Sequence, residues 1–397
     1  MRVPTFNSSQ AAFSGIEARQ VEQAKLQTQL TTGMRVNSPG DDPVAAAQAE
    51  MARSRLARVA QEQRSGQLAT SLMAAADGAL AQGVDLLQSV REALVAAGDG
   101  GYSDADRISL AKQLRSAREG MLALANTRDG AGGFIFSGRG STDEPVSLGA
   151  SPAYAAQAGV QRIGSDGKFA ATIDGRASFM ALAQGNGVFV TASNAGNTGS
   201  GWIEPGSVAD PTQLIGSNYE ITIAGTPGNL TYTVLDTSSG NPVVAAPGLP
   251  YQDGATISFD GQNVKVAGTP AVGDSFLVGP AGQQSIFQTL DEAIAVLETP
   301  SAKTVYSEKL TRVQASLDRG LDALILMRSQ VGDELRNVEN VSALGQQEDL
   351  LSSQRRSELV ELDFAKGISD MQANQIGLEA ALKSYATVSK ASLFQML

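Results

Sequence analysis

Residues 364–389 read FAKGISDMQANQIGLEAALKSYATVS. Phe364, Met371, Leu378 and Tyr385 recur every seven residues, and Ile368, Gln375, Leu382 and Ser389 stand four residues after each of them. This is an a/d heptad pattern with half of its d positions polar. Such a stripe cannot bury itself and needs a second helix against it. The other end of the chain carries a weaker version. Phe6 and Phe13 are seven apart, as are Ile16, Gln23 and Leu30. The economical solution pairs the two ends with each other and with neighbouring subunits. Phe6, Phe13, Ile16, Leu30, Phe364, Ile368, Met371, Leu378, Leu382 and Tyr385 are therefore the candidate assembly interface. An ordinary intramolecular core is the competing explanation; the position of the seams at the free ends favours assembly. The polar d positions make a weak isolated hairpin, so the ends are expected to order on assembly.

Inward from these seams the chain turns into long helical arms. After Pro43, residues 43–97 hold no further Pro and only Gly66, Gly78 and Gly83, among many Ala, Gln, Arg, Leu and Glu. A continuous helix there would be about 80 Å long. Asp42 is placed to N-cap it, Pro43 suits the first helical position, and Ser38-Pro39-Gly40 forms the preceding turn. A second helix is expected from Ser103 to about Asn126, with Asp106 completing a weak capping box. Residues 285–298 and 301–342 repeat the pattern. Helices of this length suggest a rod.

The middle differs in composition. Residues 140–282 hold 23 of the 42 Gly and 10 of the 14 Pro, so turns concentrate there. Alternation at residues 219–223 and 230–234, around a turn at 224–228, predicts a hairpin. Residues 255–259 and 264–266 flank Asp260-Gly261, a hairpin dipeptide. Residues 167–175, 188–190 and 274–278 add further strands. The expected fold is mainly α with a β insert: a long helical coiled-coil rod formed by both chain ends, plus a small antiparallel β domain, as a sandwich or barrel, in the middle. The expected boundaries are a terminal coiled coil over 1–40 and 356–397, a rod over 41–139 and 285–355, and an outer β-rich domain over 140–284.

The chain has no Cys and no His, which removes thiolate and imidazole chemistry: no disulfide, no thiolate zinc site, no Ser-His-Asp triad. The net charge of −11 repels phosphate backbones and anionic lipid, which argues against nucleic acid and membrane surfaces as partners. No run of 18 apolar residues is present. The first residues, MRVPTFNSSQAAFSG, lack the apolar region of a secretory signal. Asp41-Asp42 has no third ligand within reach and reads as a helix cap rather than a metal site. Asp104 and Asp106 read as helix-start acids, and Gly130–Gly140 as a glycine-rich exit from a helix without a phosphate-loop register. Arg355-Arg356 reads as a solvated face or an intersubunit ion pair, and Trp202 as core of the β insert. No catalytic constellation stands out, so no enzyme, metal or cofactor is expected; a two-carboxylate glycosidase is the remote alternative.

Four motifs carry a family resemblance. Leu30-Thr31-Thr32-Gly33-Met34-Arg35-Val36-Asn37-Ser38-Pro39-Gly40-Asp41-Asp42-Pro43 resembles the N-terminal signature of bacterial flagellins and their relatives. Residues 125–130 followed by Gly133-Phe134-Ile135-Phe136-Ser137-Gly138 resemble the same region in the version carried by the distal hook–filament junction proteins. Leu359–Ala365 and Ser392–Leu397 are similar to the same proteins. The resemblance covers roughly residues 1–140 and 285–397. It marks Asn37, Asp41, Asp42, Pro43, Phe134, Phe136 and Gly138 as family motif positions. It implies a structural subunit in a ring joining hook to filament, located outside the cell in the bacterial flagellum after unfolded export by the flagellar type III system. The partners it implies are a proximal junction protein, flagellin, neighbouring copies, and an export chaperone on the C-terminal helix. The alternatives are a flagellin-type filament subunit and a helical-stalk adhesin.

Overall fold

The structure is a computed structural model that describes residues 5–99, 101–140, 144–147, 153–155, 157–299 and 303–394. Its helices are α1 (Thr5–Thr32), α2 (Pro43–Ala97), α3 (Asp104–Ala125), the single turn α4 (Arg176–Phe179), α5 (Ile286–Glu298), α6 (Lys303–Val360) and α7 (Phe364–Phe394). The chain is mainly α, with antiparallel strands between α3 and α5. Two compact units are present: Met1–Arg64 with Asn340–Leu397, and Ser65–Glu339.

The larger unit holds a helical core built on heptads. Met73, Leu80, Leu87 and Leu94 of α2 recur every seven residues, and so do Leu310, Leu317, Leu324 and Val331 of α6. These stripes meet Leu114 and Met121 of α3 and Phe287 and Leu290 of α5 in one buried cluster. Gly83 falls on the α2 seam, and a Cβ there would lie 3.3 Å from Leu324 Cδ1; the missing side chain lets the helices approach. Ion pairs line the edges: Arg118 with Asp291 at 2.6 Å between α3 and α5, and Arg328 with Asp77 at 2.7 Å between α2 and α6. Both short helices are closed by reciprocal caps, Ser103 with Asp106 and Ser285 with Gln288.

Among the described residues the β insert is built on two main antiparallel sheets, beside three two-stranded pairings. One runs in the order Pro242–Pro250, Asn229–Asp236, Tyr219–Thr226, Ser275–Pro280, Phe189–Ser193; the other sets Gln262–Ala267 between Thr256–Phe259 and Trp202–Ile203. Tyr219, Ile221 and Ile223 alternate inward to meet Phe259, Val264 and Phe276.

Four local expectations change. The hairpin strands extend through Thr226 and Asn229, so the turn is the shorter Pro227-Gly228, with Gly228 at φ +90°. Of the expected 167–175 strand, Phe169–Ala170 forms a strand and Asp174 a single bridge to Ser137, because Ser165–Gly167 is a 3-10 turn and Arg176 opens a helix. Trp202 is half-buried on a two-residue pairing strand, and its neighbour Ile203 enters the core. Helix α6 continues past residue 342 to Val360: Gly345 does not stop it, since a Cβ there would sit in ordinary contact with Val59, 3.7 Å away. The Asp260-Gly261 turn has φ +40° and +74°, the paired left-handed residues that a tight hairpin requires.

Candidate assembly interface

The motif at residues 30–43 builds a corner between helices. Helix α1 ends at Gly33, whose φ of +70° lets the chain leave the helix. Gly33 O then accepts from Leu362 N at 2.9 Å, and Arg35 N donates to Val360 O at 2.7 Å, so the segment pairs with the α6–α7 connection. The Arg35 guanidinium donates to Leu359 O at 2.6 Å and lies 3.4 Å from Asp42. Asp41 Oδ2 accepts from the backbone N–H groups of Ser38 (2.9 Å) and Asn37 (3.1 Å), which closes the turn. Asp42 Oδ1 accepts from Ala45 N at 3.0 Å and caps α2, with Pro43 as its first residue. The hydrogen bond from the Ser38 backbone lowers the Asp41 pKa, and that from Ala45 lowers the pKa of Asp42. Both acids are thus occupied by backbone donors. Asp363 caps α7 in the same way, accepting from Ala365 N at 3.0 Å.

From this corner α1 and α7 run antiparallel, as two contacts far apart along the pair show: a Cβ on Gly367 would lie 3.3 Å from Leu30, and Asn374 Nδ2 donates to Arg19 O at 2.9 Å. On α7 the covered positions are Gly367, Met371, Asn374, Gly377, Leu378, Ala381 and Tyr385. The second row of the seam therefore lies three residues after Phe364, Met371 and Leu378, not four. Small and polar residues occupy it, and the row at plus four turns outward. Ile368 is 46% exposed, Leu382 45% and Phe364 52%. On α1, Ile16 is buried and Leu30 half-buried, while Phe13 is 53% exposed. The side chain of Phe6 lies outside the described residues, as does the end of the Ser392–Leu397 motif. Phe364, Ile368 and Leu382 share one helix face, directly beside the covered seam. The pair thus hides one apolar stripe and presents another.

The second motif is a buried seat in the larger unit. Phe134, Ile135 and Phe136 are buried, and the Phe136 ring meets Phe179 edge-on at 5.4 Å. Arg128 lies 4.8 Å over the Phe134 ring. Gly138 has φ +69°, and a Cβ there would collide with Gln157 O, so only glycine fits. Burial, then the charge of Asp174, raises the pKa of Tyr154, whose hydroxyl accepts from Gly175 N at 2.8 Å and donates to Phe136 O. Arg355 and Arg356 are exposed. Among the described residues no group of three or more acids is placed to hold a metal ion, and no helix is long and apolar enough to cross a membrane. The arrangement offers docking surfaces. The heptads of α2 and α6, which form the larger core, were not singled out from sequence; counting apolar residues at intervals of seven along 73–94 and 310–331 finds them.

Comparison with known proteins agrees with this architecture. Residues 3–141 match the family described as bacterial flagellin N-terminal helical region, and residues 192–280 match the D2-like domain of flagellar hook-associated protein 1. The flagellar hook-associated protein 3 of Escherichia coli is 26% identical over 401 residues, spanning 100% of this chain and 99% of that protein. Two crystal structures from Legionella pneumophila are also similar. A flagellar hook-associated protein 3 is 30% identical with a TM-score of 0.74, covering 78% of this chain and 98% of the other. A flagellar junction protein is 29% identical with a TM-score of 0.71, covering 79% and 100%.

Proposed function

The chain belongs to the flagellar hook-associated protein 3 family, and from that premise we propose how its surfaces serve the role. It is a structural subunit of the bacterial flagellum, at the junction that joins hook to filament. Its similarity to junction proteins runs the length of the chain, which separates it from a filament subunit or a stalk adhesin.

The observation that carries the docking role is the open apolar stripe Phe364–Ile368–Leu382 beside the α1–α7 seam. A solvated stripe continuous with a covered one is half of a larger helical bundle. Neighbouring copies, the proximal junction protein and flagellin supply the missing helices. In this scheme 1–40 and 356–397 form the terminal coiled coil, 41–139 and 285–355 the helical arms, and 140–284 the outer domain. Phe6, Phe13, Ile16, Leu30, Met371, Leu378 and Tyr385 hold the terminal pair together or extend its docking face. An export chaperone takes the same C-terminal helix before assembly, and the subunit reaches the outside of the cell through the flagellar type III route. The absence of cysteine supports passage as an unfolded chain, since no bridge can form on the way.

The test is incorporation at isolated hook ends that already carry the proximal junction protein. The double variant Ile368→Asp, Leu382→Asp keeps the central bundle folded and loses binding to those ends. Normal incorporation of that variant would overturn the docking role of the stripe.

A further inference from the structure

We propose that a charged groove between α2 and α6 in the smaller unit binds a carboxylate carried on an amphipathic helix of an adjoining subunit. The groove holds a cavity of about 110 Å³, lined by Arg55 of α2 and Arg355 of α6. Both arginines are exposed, and among the described residues neither forms an ion pair or a side-chain hydrogen bond. The acids of the groove do not neutralise them: Glu348 pairs with Arg58 at 3.5 Å, and Glu358 pairs with neither arginine. Ser352 lines the same cavity and is only 7% exposed. Its hydroxyl has no hydrogen-bond partner among the described residues, although a helical serine commonly bonds the carbonyl one turn back, and its oxygen keeps accessible surface. Guanidinium groups supply donors only, and the hydroxyl supplies one more. The missing group is therefore an acceptor, and two cations beside it make it an anion. A carboxylate meets a guanidinium through two parallel hydrogen bonds. In a chain of net charge −11 acids are plentiful, yet none pairs with either arginine here.

The edges of the groove favour a helix over a free anion. Met51 borders the cavity and is 67% exposed. Leu351 borders the adjoining space of about 690 Å³, which the same two arginines and Ser352 also line, and is 57% exposed. Val44 and Leu344, both exposed, stand seven residues before them on the same helix faces. Each helix thus sets an apolar row beside the charged centre. A free anion would leave both rows in water. An amphipathic helix lying along the groove covers both while its carboxylate enters between the cations. The adjoining subunit as carrier rests on the junction role proposed above.

The double variant Arg55→Gln, Arg355→Gln is compared with the wild type for binding to hook ends that carry the proximal junction protein. The expected result is about tenfold weaker binding, with added salt weakening the wild type and leaving the variant unchanged. The urea midpoint of the free variant should match the wild type, since neither arginine is paired within the molecule. A lowered midpoint beside the lost binding would make the arginines internal supports and overturn the proposal. Arg356→Gln removes a neighbouring arginine that lies outside this cavity and should bind as the wild type does. An equal loss there would reduce the effect to net charge and overturn the proposal. Arg355→Lys keeps the charge and supplies an amine, so a carbodiimide should join it, in assembled rings, to a carboxylate of another chain, giving a product absent from the free protein. Rings that form without that product overturn the proposal and leave the junction role standing. Failure of the wild-type chain to bind hook ends counts against the junction role and removes the proposal with it. Glutarate binding to the free chain, with no effect of the double variant on ring binding, would make a free anion the ligand and overturn the helix as its carrier.

Discussion

In the larger unit Leu87, Leu114, Leu290 and Leu317 have no exposed surface, whereas in the terminal pair Phe364, Ile368 and Leu382 stand half in water. Both regions are helices with apolar residues at heptad spacing. They differ in the number of neighbours. In the bundle α2, α3, α5 and α6 contribute to one buried cluster, so each stripe meets residues of more than one helix. In the pair each helix has one partner, and one partner covers only a narrow seam. The same pattern thus makes a finished core in one place and a docking surface in the other.

The largest expected effect is Leu317→Ala in the bundle, at about 2–5 kcal/mol of lost stability by urea unfolding, because a rigid core leaves a cavity. A loss near zero would mean that the bundle is as open as the terminal pair. Gly138→Ala comes next, at about 1–3 kcal/mol, since its backbone conformation and the Gln157 carbonyl both exclude a side chain. The corresponding corner glycine, Gly33→Ala, should cost about 1 kcal/mol, because there only the left-handed backbone objects and the nearest atom of Phe364 would be 3.5 Å away. Leu382→Asp should change the stability of the free molecule by less than about 0.5 kcal/mol, while lowering incorporation. A large loss in the free molecule would place Leu382 in a core. The smallest effect concerns acid. Asp41 and Asp42 have lowered folded pKa values, so their contribution is fully present above the ordinary value of 3.8 and is lost as pH falls through the lower folded values. Amide exchange at Val44–Ala46 should therefore quicken below about pH 4 with Asp42 present, and be fast at neutral pH in Asp42→Ala.

Much of this was legible from residues that act locally. Asp42-Pro43 starts α2, Ser103 and Asp106 cap α3, and Asp260-Gly261 makes its hairpin, because each needs only neighbours in the chain. The phase of the α7 seam was not legible. Ile368 and Leu382 are more apolar than Asn374 and Ala381, so composition favours the wrong row. Packing prefers the small residues Gly367 and Ala381, which let α1 approach. The full length of α6 escaped for a similar reason. The helical pattern reads only to residue 342, yet the helix runs on to Val360, with Gly345 against Val59 of α2. The groove at Ser352 has no sequence mark beyond Arg355, since its walls come from two distant stretches.

The sequence by itself determined the helical arms, the β insert between them, the caps, and the exclusion of thiol and imidazole chemistry, since these follow from residue type and short-range spacing. Only the tertiary structure decided which apolar rows are covered, how far α6 extends, and where a serine hydroxyl and two arginines are left without a partner. Those outcomes depend on which distant segments meet, and burial is a property of the meeting rather than of either partner.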